Sequence, residues 1–352
     1  MSRTRLIALH LPQFHPIPEN DAAWGAGFTE WVHVAAARRL YPGHDQPRIP
    51  ADLGFYDLRL PEARAAQARL AEEHGIEAFC YWHYWFAGRR VLEGPVSELT
   101  RSGDPDFPFC LGWANATWTG IWYGAPDRIL IEQTYPGEDD HRAHFESVLP
   151  MLRDPRYLTV EGRPFFAIFQ PLEIPDVGAF CALWRELALA AGLPGLHLVG
   201  FGSGNFDPLA HGFDARVRHG PELPRPRGGE FGQRRWWHRA LGIPAVFSYR
   251  RFVERSLQER THPHEYPVAV PNWDNTPRAG RRGSVLHGST PELFRRNLRR
   301  AIERVADRPT ERRIVVLKSW NEWAEGNTLE PDRRFGRANL EVVREEVERA
   351  SR

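Results

Sequence analysis

Two glutamates three residues apart, Glu322 and Glu325, stand in the run Trp320-Asn321-Glu322-Trp323-Ala324-Glu325-Gly326. A pair of carboxyl groups suits chemistry at an acetal. One must stay protonated to donate to a leaving oxygen, and the other must be ionised to act as base or nucleophile. On a helically turning segment, side chains at i and i+3 share a face. Desolvation among indole rings and like-charge repulsion would then lift one pKa above the other. The same spacing also describes first-turn glutamates favoured by a helix dipole. The tryptophans on either side and the strand-like run just before it favour the catalytic reading.

Polar and aromatic side chains gather in the same way beyond other strand-like runs. His10 and Gln13 follow the first, with Glu30 and Trp31 in the loop after it. His83 and Tyr84 end the second, Trp113 and Asn115 the third, and Gln170 the fourth. Asn272 and Asp274 follow the seventh, and Trp320, Asn321 and Trp323 surround the two glutamates. These are the candidate substrate-binding residues. Aromatic faces stack on the apolar faces of pyranose rings, while amides, imidazoles and carboxylates bind hydroxyls. The combination points to sugars. Asp274 is weighed as a cation ligand, but Asp and Asn at a strand end more often bind hydroxyls or cap a turn. Neither a metal nor a cofactor is expected, since no HExxH and no glycine-rich phosphate loop occurs. Glu330 and Asp332 are read as structural partners of Arg333 and Arg334.

The elements that must carry these residues alternate along the chain. Strands are expected over Leu6–Leu11, Glu77–Trp82, Phe109–Ala114, Pro164–Gln170, Leu196–Phe201, a weaker Phe213–Val217, Tyr266–Val270 and Ile314–Ser319. Helical patterns cover Pro61–His74, Asp139–Arg153, Pro175–Ala191, Tyr249–Arg260, a segment capped by Thr290, and Leu340–Ala350. Gly75 and Gly192 are placed to close two of them. Alternation calls for a parallel sheet, and eight repeats call for a closed (β/α)8 barrel, a TIM barrel with elaborated βα loops, as a single domain over residues 1–352. An open doubly wound sheet is the other arrangement considered, but no GxGxxG turn follows the first strand. In a barrel the active site lies at the C-terminal strand ends, where the polar and aromatic residues fall. Residues 12–60, 115–138 and Arg225–Arg239 read as loops over the mouth.

Composition narrows the function class. Lys and Arg total 46 against 45 Asp and Glu. That near-balance argues against a nucleic-acid or anionic-membrane partner. No run approaches about 18 apolar residues, so no membrane span is expected. The first strand is too short for the apolar region of a secretory signal. Cys80, Cys110 and Cys181 lack metal-ligand spacing and read as reduced, buried thiols, in keeping with a cytoplasmic protein. Nothing in these patterns sets an oligomeric state.

The chain resembles the WbsX-type, glycoside hydrolase family 99-like proteins. The resemblance rests on four segments. They are Leu11-Pro12-Gln13-Phe14-His15-Pro16-Ile17-Pro18-Glu19-Asn20, Gly27-Phe28-Thr29-Glu30-Trp31, Tyr81-Trp82-His83-Tyr84-Trp85-Phe86, and Ser319 to Gly326 with Leu329-Glu330-Pro331. It implies a (β/α)8 barrel acting on oligosaccharide or polysaccharide, with members in O-antigen and capsule gene clusters. The family 99 hydrolases resemble it chiefly in the Glu-Trp-x-Glu-Gly run. They are retaining enzymes working through a 1,2-anhydro sugar. Carried over by position, Glu322 becomes the base toward the sugar's own 2-hydroxyl and Glu325 the acid/base. Ala324 departs from the hydrolases, which have His there, and this leaves the substrate open. A glycosyltransferase or transglycosylase using the same pocket, and a non-catalytic carbohydrate-binding protein, are the alternatives.

Overall fold

The computed structural model describes residues 4–120, 125–202, 204–218, 242–260 and 262–352. Its central sheet is built from parallel strands. These are β1 (Arg5–His10), β2 (Ala78–Phe86), β3 (Phe109–Trp113), β4 (Arg163–Ile168), β5 (His197–Gly202), β6 (Ala215–Arg218), β7 and β8 (Ile314–Leu317). Strand β7 comes in two halves, Glu265–Tyr266 and Val268–Ala269, on either side of Pro267. The first half pairs with β6 and the second with β8, and β8 pairs with β1. The sheet thus returns on itself as a (β/α)8 barrel. Proline has no N–H to give a ladder, yet the Pro267 carbonyl accepts from Val316 N at 2.9 Å, so the closing seam continues past it.

β1, β3, β4 and β5 are buried along almost their whole length. Strands covered on both faces read as continuous apolar runs, which is why they were legible in the sequence. Helices Pro61–Glu73, Glu138–Leu152, Val177–Ala190, Tyr249–Gln258, Pro291–Glu303 and Ala338–Ala350 match the helical patterns to within a few residues. Thr290 caps its helix, its hydroxyl accepting from Leu293 N. Gly75 and Gly192 take φ of 82° and 81° just past their helices, a region open to glycine.

Two connections differ from the pattern. A helix, Gly94–Ser102, lies between β2 and β3 where none was expected, and only a three-residue turn, Leu209–His211, separates β5 from β6. The first loop folds into two short helices, Pro18–Trp24 and Glu30–Ala36. Part of the 115–138 loop is a ribbon of Trp118–Gly120 against Ala125–Ile131. The expected insertion Arg225–Arg239 lies outside the described residues. The three cysteines are buried and unpaired. Among the described residues, no helix is long and apolar enough to cross a membrane.

Candidate active site

Past β8 the chain does not continue into a helix. Asn321–Glu322 forms a short antiparallel pair with Asn327–Thr328, and Trp323–Glu325 makes one 3-10 turn. In a 3-10 turn, side chains at i and i+3 eclipse. Glu322 and Glu325 therefore leave the loop on one side, by a tighter turn than an α-helix. The turn is closed by Gly326 at φ 64°, where a Cβ would sit 2.9 Å from the Asp274 Cβ.

Both glutamates line a cavity of about 380 Å³ at the C-terminal end of the barrel. Trp24, Trp82, Tyr84, Trp118, Phe169 and Trp273 supply its aromatic surface. Glu30, Arg278 and Lys318 join the two glutamates as charged lining, with Gln13, Asn20 and His33 also present.

Arg278, on the short helix Thr276–Ala279 after β7, organises the charges. It donates to Glu30 Oε1 at 2.5 and 3.0 Å, to Glu322 Oε2 at 3.1 Å and to Glu325 Oε1 at 2.7 Å. Burial raises the Glu322 pKa to about 8, the Glu325 charge adds to this, and Arg278 opposes it. Burial also raises Glu30, against the pull of Arg278. His33 is pushed down to about 3 by burial and by Arg278, so it is neutral.

A polar layer beneath holds this arrangement. Asn321 Oδ1 accepts from Leu11 N at 2.7 Å, and its Nδ2 donates to Leu11 O at 3.0 Å, tying the end of β1 to the loop after β8. Glu330 accepts from Trp323 Nε1 at 2.6 Å, Gln67 Nε2 at 2.7 Å and Tyr56 Oη at 3.0 Å. Its partners are therefore not Arg333 and Arg334, as expected from proximity in sequence, and burial lifts its pKa to about 7. The Asp332 carboxylate caps the backbone N–H groups of Arg334 and Phe335.

Of the residues singled out from the sequence, Gln13, Glu30, Tyr84, Glu322 and Glu325 line the cavity. The others do not, each for a physical reason. His10 is fully buried, with Nε2 against Gln67 Oε1. Trp31 donates its indole N–H to Tyr56 O at 2.7 Å, and Trp323 turns down to Glu330. His83 meets His144 at 2.8 Å between the ring nitrogens, and Trp113 packs on the same His144. Asn115 spends its amide on the backbone of Gln170, with two bonds of 2.7 and 2.8 Å, and neither residue lines the cavity. Trp320 is fully buried against Phe79. Asn272 and Asp274 line a separate cavity of about 200 Å³. Asp274 is saturated by His44, Gln46 and Thr276, and so fixes the short helix that carries Arg278. Among the described residues, no cluster of three or more His, Cys, Asp or Glu side chains could hold a metal ion.

Arg278 and Lys318 were missed. Arg278 stands in an arginine-rich stretch with Arg281 and Arg282, without a local signal. Lys318 had one, since it is the single lysine of the chain.

Comparisons with known proteins agree with this architecture. The chain is 41% identical to the WxcX protein of Xanthomonas campestris pv. campestris strain B100, over 98% of this chain and 50% of that protein. The WxcX protein of a second strain gives 40% identity over the same shares. The chain thus spans about half the length of these curated relatives. A solved structure described as a glycoside hydrolase-like protein superposes with a TM-score of 0.60 at 14% identity, covering 99% of this chain and 94% of that one. The GH99 endo-alpha-mannosidase from Bacteroides thetaiotaomicron superposes with a TM-score of 0.57, also at 14% identity, covering 99% and 97%. Identities this low bear on the fold alone. The family described as Glycosyltransferase WbsX matches residues 6–343, and the chain belongs to that family.

Proposed function

We propose that this barrel is a carbohydrate-active enzyme, a retaining glycoside hydrolase acting in the cytoplasm on a bacterial surface polysaccharide or its lipid-linked precursor. The observation that carries the reading is the placement of Glu322 and Glu325 side by side in one aromatic-lined cavity, bridged by Arg278. Rings such as Trp82 and Trp118 offer apolar faces for a pyranose, and the carboxylates and Gln13 offer hydroxyl partners.

In this reading Glu322, ionised, takes the proton of the sugar's 2-hydroxyl, whose oxygen closes on C1. Glu325 protonates the departing oxygen, then activates the water that opens the 1,2-anhydro ring. Burial opposes the first role, because it favours a proton on Glu322 in the unliganded site. On substrates whose leaving group needs no proton, turnover then rises with pH as that proton leaves Glu322. No metal or cofactor takes part in these steps.

The test uses aryl glycosides whose leaving group needs no proton, across manno, gluco and rhamno configurations. Glu325→Gln should still release the aryl group in the first step but stall where water must open the 1,2-anhydro ring, while Glu322→Gln should lose about 10²–10⁴-fold in that first step, the usual worth of a general base. Full activity in both variants would refute the assignment. The family's description favours a second reading, transfer to a sugar acceptor. Product formation that requires a nucleotide sugar would establish it.

A further inference from the structure

All but one of the chain's 46 lysine and arginine residues are arginine, and the exception is Lys318. It follows β8 directly, held by its backbone N–H on Ala269 O at 2.9 Å, and its side chain lines the candidate active-site cavity. Its ammonium lies over the Trp273 ring at 5.4 Å. An indole face stabilises a cation without neutralising it.

The two cations of the cavity differ in how they are compensated. Arg278 touches three carboxylates, so its charge is spent on Glu30, Glu322 and Glu325. Lys318 forms no ion pair and no side-chain hydrogen bond among the described residues, although it sits in the same cavity. Its charge acts on Glu322 through space without a direct bond, and a half-buried ammonium on an aromatic wall with no hydrogen bond made is arranged to receive an acceptor from the ligand.

Resting on the carbohydrate reading above, we propose that Lys318 is a specificity-determining residue that pairs with a carboxylate on the bound glycan, making uronic-acid-type sugars the substrate class. A single ammonium matches a single negative charge. A phosphate ester would bring nearly two charges into a cavity already lined by three glutamates, and its usual recognition uses several converging donors.

The single lysine gives a site-specific readout. Acetylation of Lys318 by an amine-reactive ester is followed by peptide mass spectrometry. The probes are methyl glycosides of gluco, galacto and manno uronic acids, their neutral counterparts and glucose 6-phosphate, at matched ionic strength. At least one uronide should slow Lys318 acetylation severalfold, while neutral glycosides and the phosphate do not. Calorimetry should show that uronide loses about tenfold or more in affinity for Lys318→Gln, the usual scale of a charge-assisted hydrogen bond, with neutral glycosides unchanged. Equal protection by uronides and neutral sugars, or tight uronide binding to Lys318→Gln, would overturn the proposal and leave the carbohydrate reading standing. Protection by the phosphate alone would overturn the carboxylate assignment. Absence of binding by every sugar tested would remove both readings.

Discussion

Arg278 donates to Glu322 at 3.1 Å while its other nitrogens hold Glu30 and Glu325. Four charged groups from three separated parts of the chain therefore share one mostly buried network. The guanidinium fork suits this, because it donates in several directions from one plane and stays charged. It keeps two acid groups close together that would otherwise repel.

Replacing Arg278 by methionine leaves three neighbouring carboxylates without their cation. Breaking a buried ion pair from one side costs about 3–5 kcal/mol. The loss should be greatest at alkaline pH, where the carboxylates are ionised, and should shrink in acid. Urea unfolding at pH 5 and pH 9 measures this. Equal losses at both pH values would show that Arg278 is not the counter-charge.

Glu322 carries a pKa raised from 4.5 to about 8 in the folded chain. The native state then binds a proton that the unfolded state has released between those values, so this group makes stability fall as pH rises across that window. Glu322→Gln removes the contribution. Its thermal midpoint should change less between pH 5 and pH 8 than that of the parent chain. A difference in the opposite sense would mean that Glu322 is ionised in the folded protein at neutral pH.

Asn321 bonds both the N–H and the C=O of Leu11 from full burial. Asn321→Leu leaves those two backbone groups unsatisfied, at about 1–3 kcal/mol for each. The loop bearing Glu322 and Glu325 also loses its tie to β1. Catalytic turnover should drop more than substrate affinity, because the aromatic lining of the cavity is carried largely by other segments. Denaturant titration and steady-state kinetics on one substrate separate the two effects. Unchanged stability would show that the clamp is dispensable.

The sequence by itself determined the barrel and the acid pair. Continuous apolar runs mark strands buried on both faces, amphipathic segments mark the covering helices, and both signals are local. The tryptophan-rich loop after β8 advertised Glu322 and Glu325 for the same reason. Tertiary structure decided which polar residues face the cavity. His10, His83, Asn115, Asn321 and Asp274 carry the same chemistry at the same strand ends, yet each bonds to a partner distant in sequence and supports the site from beneath. The direction of a side chain at a strand end depends on which distant groups satisfy it, and burial makes that satisfaction obligatory. For the same reason Arg278 became visible only after folding. Its role lies in three carboxylates, the nearest of them 44 residues away in sequence, that the closure of the barrel brings within reach.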